Sequence, residues 1–275
     1  MTKSPRPLSA LSNAEAKRLT GLVFDLDDTV LDHGALTEEA YSALFRMREA
    51  GLRLVACTGR PAGWAEVLLR QWPIDAAVAE NGAVGLVKRT QHAGASRIET
   101  MFPTNPDAMR AEREELLRLA HELVVRFPEA ALADDNAARW TDVTIDIGEH
   151  RSVGAEVIAA MRSDARSRGV VTFVSSVHLH LSFTAGDKAS GTLRLLQARF
   201  GESSETACSA NAFVGDSGND ASAFSVFQTT FGVSNVTKYL SSLPDPPKFV
   251  MKNAMGAGFA ELAKHLVALR GSASS

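Results

Sequence analysis

The sequence predicts an α/β protein in which a parallel sheet is interrupted by an inserted α+β segment. Three observations carry this. Short apolar runs rich in strand formers, "GLVFDL", "LRLVACTGR" and "IDAAVAENGA", alternate with helical segments near the start. The same alternation returns after Lys188. Between them stand long amphipathic helices and strands of alternating polarity. Strand–helix–strand order implies parallel strands joined by right-handed crossovers, whereas alternating polarity points to an antiparallel sheet with one solvated face.

The elements follow in order. Residues 1–20 contain no continuous apolar stretch ahead of a cleavage site, so no secretory signal is expected. They are expected to form a flexible arm, with Ser12 or Asn13 capping a short helix through Leu19. "GLVFDL" is a buried strand. In "LTEEAYSALFRMREAG", Thr37 is the N-cap, two glutamates occupy the first turn and Gly51 closes the helix. "LRLVACTGR" is a second buried strand. "AGWAEVLLRQW" is helical and stops at Pro73, and "IDAAVAENGA" is a third strand.

The insertion holds "VGLVKR", the helix "NPDAMRAEREELLRLAHELVVRF", the strand "WTDVTIDIGE", the helix "GAEVIAAMRSDARSRG" and the strands "VVTFVSS" and "VHLHLSF". The charge run "RAEREELLR" is the solvated face of its helix. After it come a helix opening at Lys188, the strand "AFVGD", a short helix, the strands "TTFGVS" and "KFVM", and a last helix ending at Gly271. "SSLPDPPK" is a rigid loop and "GSASS" a frayed tail.

Bulk properties narrow the function. A chain of 275 residues fits one large or two modest domains. A net charge of −3 gives no global field for nucleic acid or an anionic membrane. No apolar run approaches the roughly 18 residues that a bilayer span needs. The two cysteines, Cys57 and Cys208, make no disulfide framework, so a cytoplasmic location is the default. Cys57, inside an apolar run, reads as a small core residue.

Ligands of open parallel sheets gather at the carboxyl ends of the strands. Three polar clusters sit at such ends: "DLDDT", "TGR" and "GDSGND". Asp25, Asp27, Asp216 and Asp220 are hard oxygen donors, and so many carboxylates at one edge need a cation. Mg2+ suits a site of few carboxylates, waters and a phosphate oxygen. Lys188, Arg60 and the Thr58 hydroxyl, with N–H groups of the turns near Asp27 and Gly59, are what a phosphate would need.

These segments, in this order, resemble the haloacid dehalogenase-like hydrolase superfamily, most of whose members are phosphatases. The first motif, DxDx[TV], matches Asp25 to Thr29. The strand ending in Ser or Thr matches Thr58, the lysine at a helix start matches Lys188, and GDxxxD matches Gly215 to Asp220. The resemblance implies a Rossmann-like core over 21–87 and 186–270. It implies Asp25 as the nucleophile that forms an aspartyl-phosphate, and Asp27 as general acid/base. Mg2+ would be held by Asp25, the Asp27 carbonyl, Asp216 and Asp220, with Asn219 supporting. Thr58, Gly59 and Lys188 would hold the phosphoryl group. Apart from the resemblance, Arg60 is a phosphate contact or the partner of a carboxylate, and Asn81 a turn residue with positive φ or a residue at the site's edge. Dehalogenases lack the second aspartate, so Asp27 argues for phosphate chemistry.

The insertion, placed at 88–185, looks like the large α/β cap of the Cof-like and sugar-phosphatase branch. That branch includes sucrose-phosphate, trehalose-phosphate and mannosyl-3-phosphoglycerate phosphatases, with phosphomannomutase as a relative. "AENGA" and "GDSGNDASAF" look very like it. Two positions depart from its pattern. Ala189 rather than glycine follows the lysine, and His180 stands near where an acidic residue is common. "GVSNVTK" resembles the branch's "GVAMGNA" loop loosely.

The expected function is a Mg2+-dependent phosphatase of a small phosphorylated metabolite, a sugar or polyol phosphate. A phosphomutase of the phosphomannomutase type, a nucleotide or pyridoxal phosphatase, and a catalytically idle ligand-binding protein remain alternatives. His178 and His180 share one strand face and, with Ser175 and Ser176, are the candidate substrate contacts of the cap. Arg139, Trp140, Asp142 and Asp146 are expected at the surface or in packing, and Glu80 in a structural role. The sequence does not specify the oligomeric state.

Overall fold

The computed structural model describes residues 4–90, 96–175, 177–184 and 186–271. The chain opens with β1 (Arg6–Pro7) and α1 (Asn13–Arg18). It continues through β2 (Gly21–Phe24), the hairpin β3 (Leu31–Asp32) and β4 (Ala35–Leu36), α2 (Glu38–Glu49), β5 (Arg53–Cys57), α3 (Ala62–Gln71) and β6 (Ala76–Ala79). Next come β7 (Val84–Thr90) and β8 (Ser96–Phe102). A second unit comprises α4 (Pro106–Arg126), β9 (Ala131–Leu132), β10 (Val143–Asp146), α5 (Ala155–Ser167), β11 (Val171–Val174) and β12 (His178–Ser182). The chain returns through α6 (Lys188–Phe200), α7 (Ser204–Ala210), β13 (Asn211–Gly215), α8 (Ala221–Val226), β14 (Thr229–Gly232), β15 (Phe249–Val250) and α9 (Met255–Gly271).

The main sheet has the order β1-β15-β14-β13-β2-β5-β6-β7-β8. It is parallel from β1 to β6, and β7 and β8 add antiparallel strands at one edge. Alternation along each strand splits the apolar residues between two faces. Leu22, Phe24, Leu54 and Ala56 pack under α1, α2, α3 and α9. Val23, Val55 and Cys57 pack under α6, α7 and α8. With both faces covered, the carboxyl ends of the parallel strands are where a ligand would be received.

The helix starts form as their caps dictate. The Thr37 hydroxyl accepts from Ala40 N, and Ser12 makes a reciprocal capping box with Glu15. Residues 4–20 differ from the flexible arm expected over 1–20. β1 pairs with β15, and Leu8, Leu11, Ala16 and Leu19 are buried in the core shared with α9. Arg270 fastens this segment by donating to the carbonyls of Ala16 and Leu19. Four apolar side chains on a short polar stretch were enough to dock it.

Residues 88–90 and 96–102, expected in the insertion, belong instead to the edge of the main sheet through β7 and β8. Their mixed polarity, with Lys88 and Arg89 on one strand and Arg97 and Glu99 on the other, is that of an edge and resembles the insertion's own strands.

The smaller sheet, β11-β12-β10-β9, is antiparallel. Val143, Ile145, Leu179 and Leu181 pack against Leu116, Leu119 and Leu123 of α4 and Met161 of α5. Register places Thr144 opposite His180 and Asp146 opposite His178, so the other face of this sheet is polar.

Candidate active site

Four chain segments meet at the carboxyl edge of the main sheet. Asp25 follows β2, and its N–H donates to the Val214 carbonyl of β13 at 2.9 Å. The next turn closes on the Leu26 carbonyl, which accepts from Thr29, Val30 and Leu31. This leaves Asp25 buried while the Asp27 side chain is about half exposed, at 48%. Arg60 grips Asp27 with a fork, Nη2 to Oδ1 at 2.6 Å and Nε to Oδ2 at 3.0 Å, and its guanidinium lies 4.2 Å from the centre of the Trp64 ring.

Lys188 opens α6 behind the N-cap Asp187, whose carboxylate accepts from Ser190 N. Its Nζ is fully buried, 2.5 Å from Asp25 Oδ1 and 2.7 Å from Asp220 Oδ1. The helix reaches this position because glycines meet where it crosses the turn after β6. A Cβ on Gly191 would stand 2.4 Å from Gly82 Cα. Gly191 thus supplies the clearance for this crossing, and Ala189, directly after the lysine, is buried.

At the end of β13, Asp220 Oδ2 accepts from Asp216 N at 2.9 Å and Ser217 N at 3.2 Å. A Cβ on Gly215 would come within 2.3 Å of that oxygen, so only glycine permits the approach. Both Asp220 oxygens are therefore used to orient Lys188 and the Asp216 turn. Asn219 is exposed and accepts from the Ser217 hydroxyl. Asn235, which the sequence did not single out, donates to Asp216 Oδ2 and to the Asp28 carbonyl, each at 2.9 Å. It lies in the "GVSNVTK" loop just past β14, where a polar side chain at a strand end was the available signal.

Burial pushes the Asp25 carboxyl up to about 7, more than Lys188 pulls it down. Burial, with repulsion from Asp25 and Asp220, pushes Asp216 up to about 9. Burial works against the Lys188 charge, but Asp220 and Asp25 outweigh it and raise its pKa above the ordinary lysine value. One lysine therefore does not neutralise the three acids. Oxygens of Asp25, Asp216 and Asp220 lie within 4.8 Å of one another. A hard divalent cation would fit this donor set, in which Asp25 and Asp216 keep acceptor capacity among the described residues.

The turn after β5 is held from three sides. Thr58 is buried, and its hydroxyl accepts from Arg60 N at 3.0 Å. The Thr58 carbonyl accepts from Asn81 N and the Arg60 carbonyl from Glu80 N, each at 3.1 Å. Glu80 and Asn81 both have positive φ, 51° and 53°, in the left-handed region expected for Asn81. The Gly59 carbonyl accepts from Arg139 Nη1 of the smaller unit at 3.1 Å. Below the turn, burial pushes the Cys57 thiol up to about 12, as suits a packed core cysteine.

Polar residues of the smaller unit form one buried network. Arg139 forks Asp135 and also bonds Asp142, whose Oδ2 meets His180 Nδ1 at 2.9 Å. Burial alone would raise Asp142, but Arg139 holds it below the usual carboxylate range. Burial depresses His180 despite Asp142, leaving the ring neutral, so it donates through Nδ1. His178 Nε2 lies 3.0 Å from Glu149 Oε2, and the two histidine rings are 6.0 Å apart. Ser175 sits in the turn between β11 and β12 with its hydroxyl on His178 N, and Ser176 lies outside the described residues.

Arg139 and Asp142 are buried in polar pairs rather than at the surface. Asp146 folds its own loop, accepting from Gly148, Glu149 and His150 N. Glu80 ties the two units together: its carboxylate accepts from Ala62 N, Trp140 N, Thr141 N and Asp142 N.

Comparison with known proteins bears on the fold. Residues 22–101 match the family model described as haloacid dehalogenase-like hydrolase. No curated protein matches the chain. Among solved structures, a protein of Thermoplasma acidophilum is 19% identical, with a TM-score of 0.66, over 91% of this chain and 99% of its own. The phosphatase BT1666 of Bacteroides thetaiotaomicron is 16% identical, with a TM-score of 0.61, over 94% and 98%. The sucrose-phosphatase of Synechocystis, solved with sucrose and phosphate, is 16% identical, with a TM-score of 0.61, over 91% and 98%. At these identities the structures show a shared fold, and the match to the haloacid dehalogenase-like hydrolase family model covers the β2–β8 region of the chain.

Proposed function

We propose that the protein is a Mg2+-dependent phosphatase that hydrolyses a small phosphorylated metabolite, a sugar or polyol phosphate, through an aspartyl-phosphate on Asp25. The observation that carries this reading is Lys188 Nζ shared between Asp25 and Asp220, beside Asp216, at the end of a parallel sheet. That cluster is short of positive charge, as a site awaiting a cation would be. The sugar-phosphate class rests on the likeness in fold to the Synechocystis sucrose-phosphatase.

Phosphoryl transfer is chiefly positioning and charge stabilisation. When bound, Mg2+ would supply neutralising charge to the phosphoryl oxygens and to Asp25 and Asp216. Lys188 draws the Asp25 carboxylate into place and offsets its repulsion of the phosphate. The Asp25 oxygen bonds to phosphorus as the ester P–O bond breaks, and the leaving oxygen takes the proton that Asp27 carries. Asp27 must leave the Arg60 fork to do this, so Arg60 parks the acid/base at the mouth of the site. In the second half Asp27 takes a proton from water, whose oxygen attacks the phosphoryl group, and the Asp25 carboxylate is regenerated as phosphate leaves. The smaller unit serves as a cap over this edge, excluding bulk water and selecting the leaving group.

A panel of sugar, polyol, nucleotide and pyridoxal phosphates, assayed for phosphate release with and without Mg2+, tests the reading. Release from sugar or polyol phosphates only with Mg2+ supports it; no release from any of them overturns it.

A further inference from the structure

The turn 58–60 presents three consecutive carbonyls, and each is bound to a donor outside the turn. Two donors, Asn81 N and Glu80 N, belong to the main sheet's own β6–β7 connection. The third, Arg139 Nη1 on the Gly59 carbonyl, comes from the smaller unit. A carbonyl's direction fixes that of its peptide unit, so Arg139 sets how the Gly59–Arg60 peptide is turned. Gly59 also lies close under Asn81, whose Oδ1 would stand 3.0 Å from a Cβ there.

Arg139 is built for a fixed position rather than for solvation. Its side chain is 1% exposed, and two carboxylates, Asp135 and Asp142, neutralise it. Asp142 is held in turn by His180 Nδ1, and its N–H by Glu80. The Glu80 carboxylate collects the N–H groups of residues 140, 141 and 142 and that of Ala62 at the start of α3. Segment 139–142 is thus pinned at one end to the sheet by Glu80 and at the other reaches the turn through a guanidinium. Both contacts exist only while the smaller unit is docked.

We infer that Arg139 is a positioning residue that couples docking of the cap to the shape of the phosphoryl-binding turn, so that the docked cap preorganises the turn and a bound phosphoryl group in turn holds the cap down. This rests on the phosphatase reading above, which assigns that turn to the phosphoryl group. Linkage makes the effect reciprocal: whatever the cap contributes to phosphate affinity, phosphate returns to cap docking.

The test uses the full chain with inorganic phosphate and Mg2+. Calorimetric affinity and amide hydrogen exchange over residues 139–146 are measured for the wild type, Arg139→Lys, and the double variant Arg139→Met/Asp142→Asn, which removes the arginine together with the charge of its more deeply buried partner and leaves Asp135, 22% exposed, to water. The wild type should bind phosphate and show phosphate-dependent protection of 139–146. The double variant should bind about tenfold more weakly, within the usual span of coupled sites, and lose that protection, while Arg139→Lys retains part of both. A residue that merely packs the cap would not make the protection depend on phosphate. Equal affinity and equal phosphate-dependent protection in all three proteins overturn the inference and leave the phosphatase reading standing; a wild type that binds no phosphate overturns both.

Discussion

Lys188 Nζ lies 2.5 Å from Asp25 Oδ1, although 163 positions separate the two residues in the chain. The sheet order explains the meeting: β2 lies between β13 and β5, and α6 enters over the turn after β6 with its first residue at the strand ends. A wholly buried lysine between two buried carboxylates is justified energetically only if all three are needed there, because desolvating charges costs several kcal/mol per ion.

Replacing Lys188 with Met should therefore damage the protein twice. Asp25 and Asp220 lose their shared partner, which should cost about 3–5 kcal/mol of stability. Phosphatase activity should fall below detection even where Mg2+ restores folding. Denaturant melts and activity assays check this, and a variant of wild-type stability would show that the pair carries little.

Mg2+ should stabilise the protein more as pH rises. Asp25 and Asp216 have folded-state values raised to about 7 and about 9, so each binds its proton more tightly folded than unfolded. Their contribution is stabilising below the unfolded carboxyl value and is lost as pH climbs through 7 to 9. A cation takes the place of those protons, so the gain in melting temperature on adding Mg2+ should be small at pH 5 and larger at pH 8. At 100 times the dissociation constant the gain corresponds to about 2.7 kcal/mol. A shift independent of pH would disconnect the cation from these carboxylates.

Asn235→Ala should weaken Mg2+ by about tenfold while leaving the fold intact. Its amide fixes Asp216 Oδ2 against the Asp28 carbonyl, and outer partners of metal ligands commonly matter on that scale. Titration of Mg2+ by calorimetry gives the number; unchanged affinity would reduce Asn235 to loop packing.

His180 should make the protein acid-sensitive. Burial lowers its folded-state value beneath that of an ordinary histidine, against the pull of Asp142. Its contribution is therefore present above the unfolded histidine value, about 6.5, and is lost as pH falls below it. The stability difference between wild type and His180→Asn should shrink from pH 7 to pH 5. A difference constant across that range contradicts a buried neutral ring.

The polar clusters of the candidate site were legible in the sequence because each cluster is local. Acid-rich turns directly after strand-like runs declare a strand end, and Gly215 is demanded by Asp220 in its own turn, whereas Gly82 meets Asp187 and Gly191 across the whole insertion. What was not legible is long-range. Glu80 and Arg139 gain their roles from partners some sixty to eighty positions distant, at Trp140 to Asp142 and Gly59, and a buried arginine is indistinguishable in sequence from a solvated one. β8 escaped notice because an edge strand needs no apolar alternation, and the first twenty residues because their apolar side chains are spaced by no regular period.

The central claim is tested most directly by comparing Asp25→Asn with the wild type in steady-state phosphate release, in Mg2+, from the best substrate of the metabolite panel. With its attacking oxygen replaced by an amide, the variant should stay folded and lose turnover by about a thousandfold or more. Turnover undiminished in the folded variant would contradict the account.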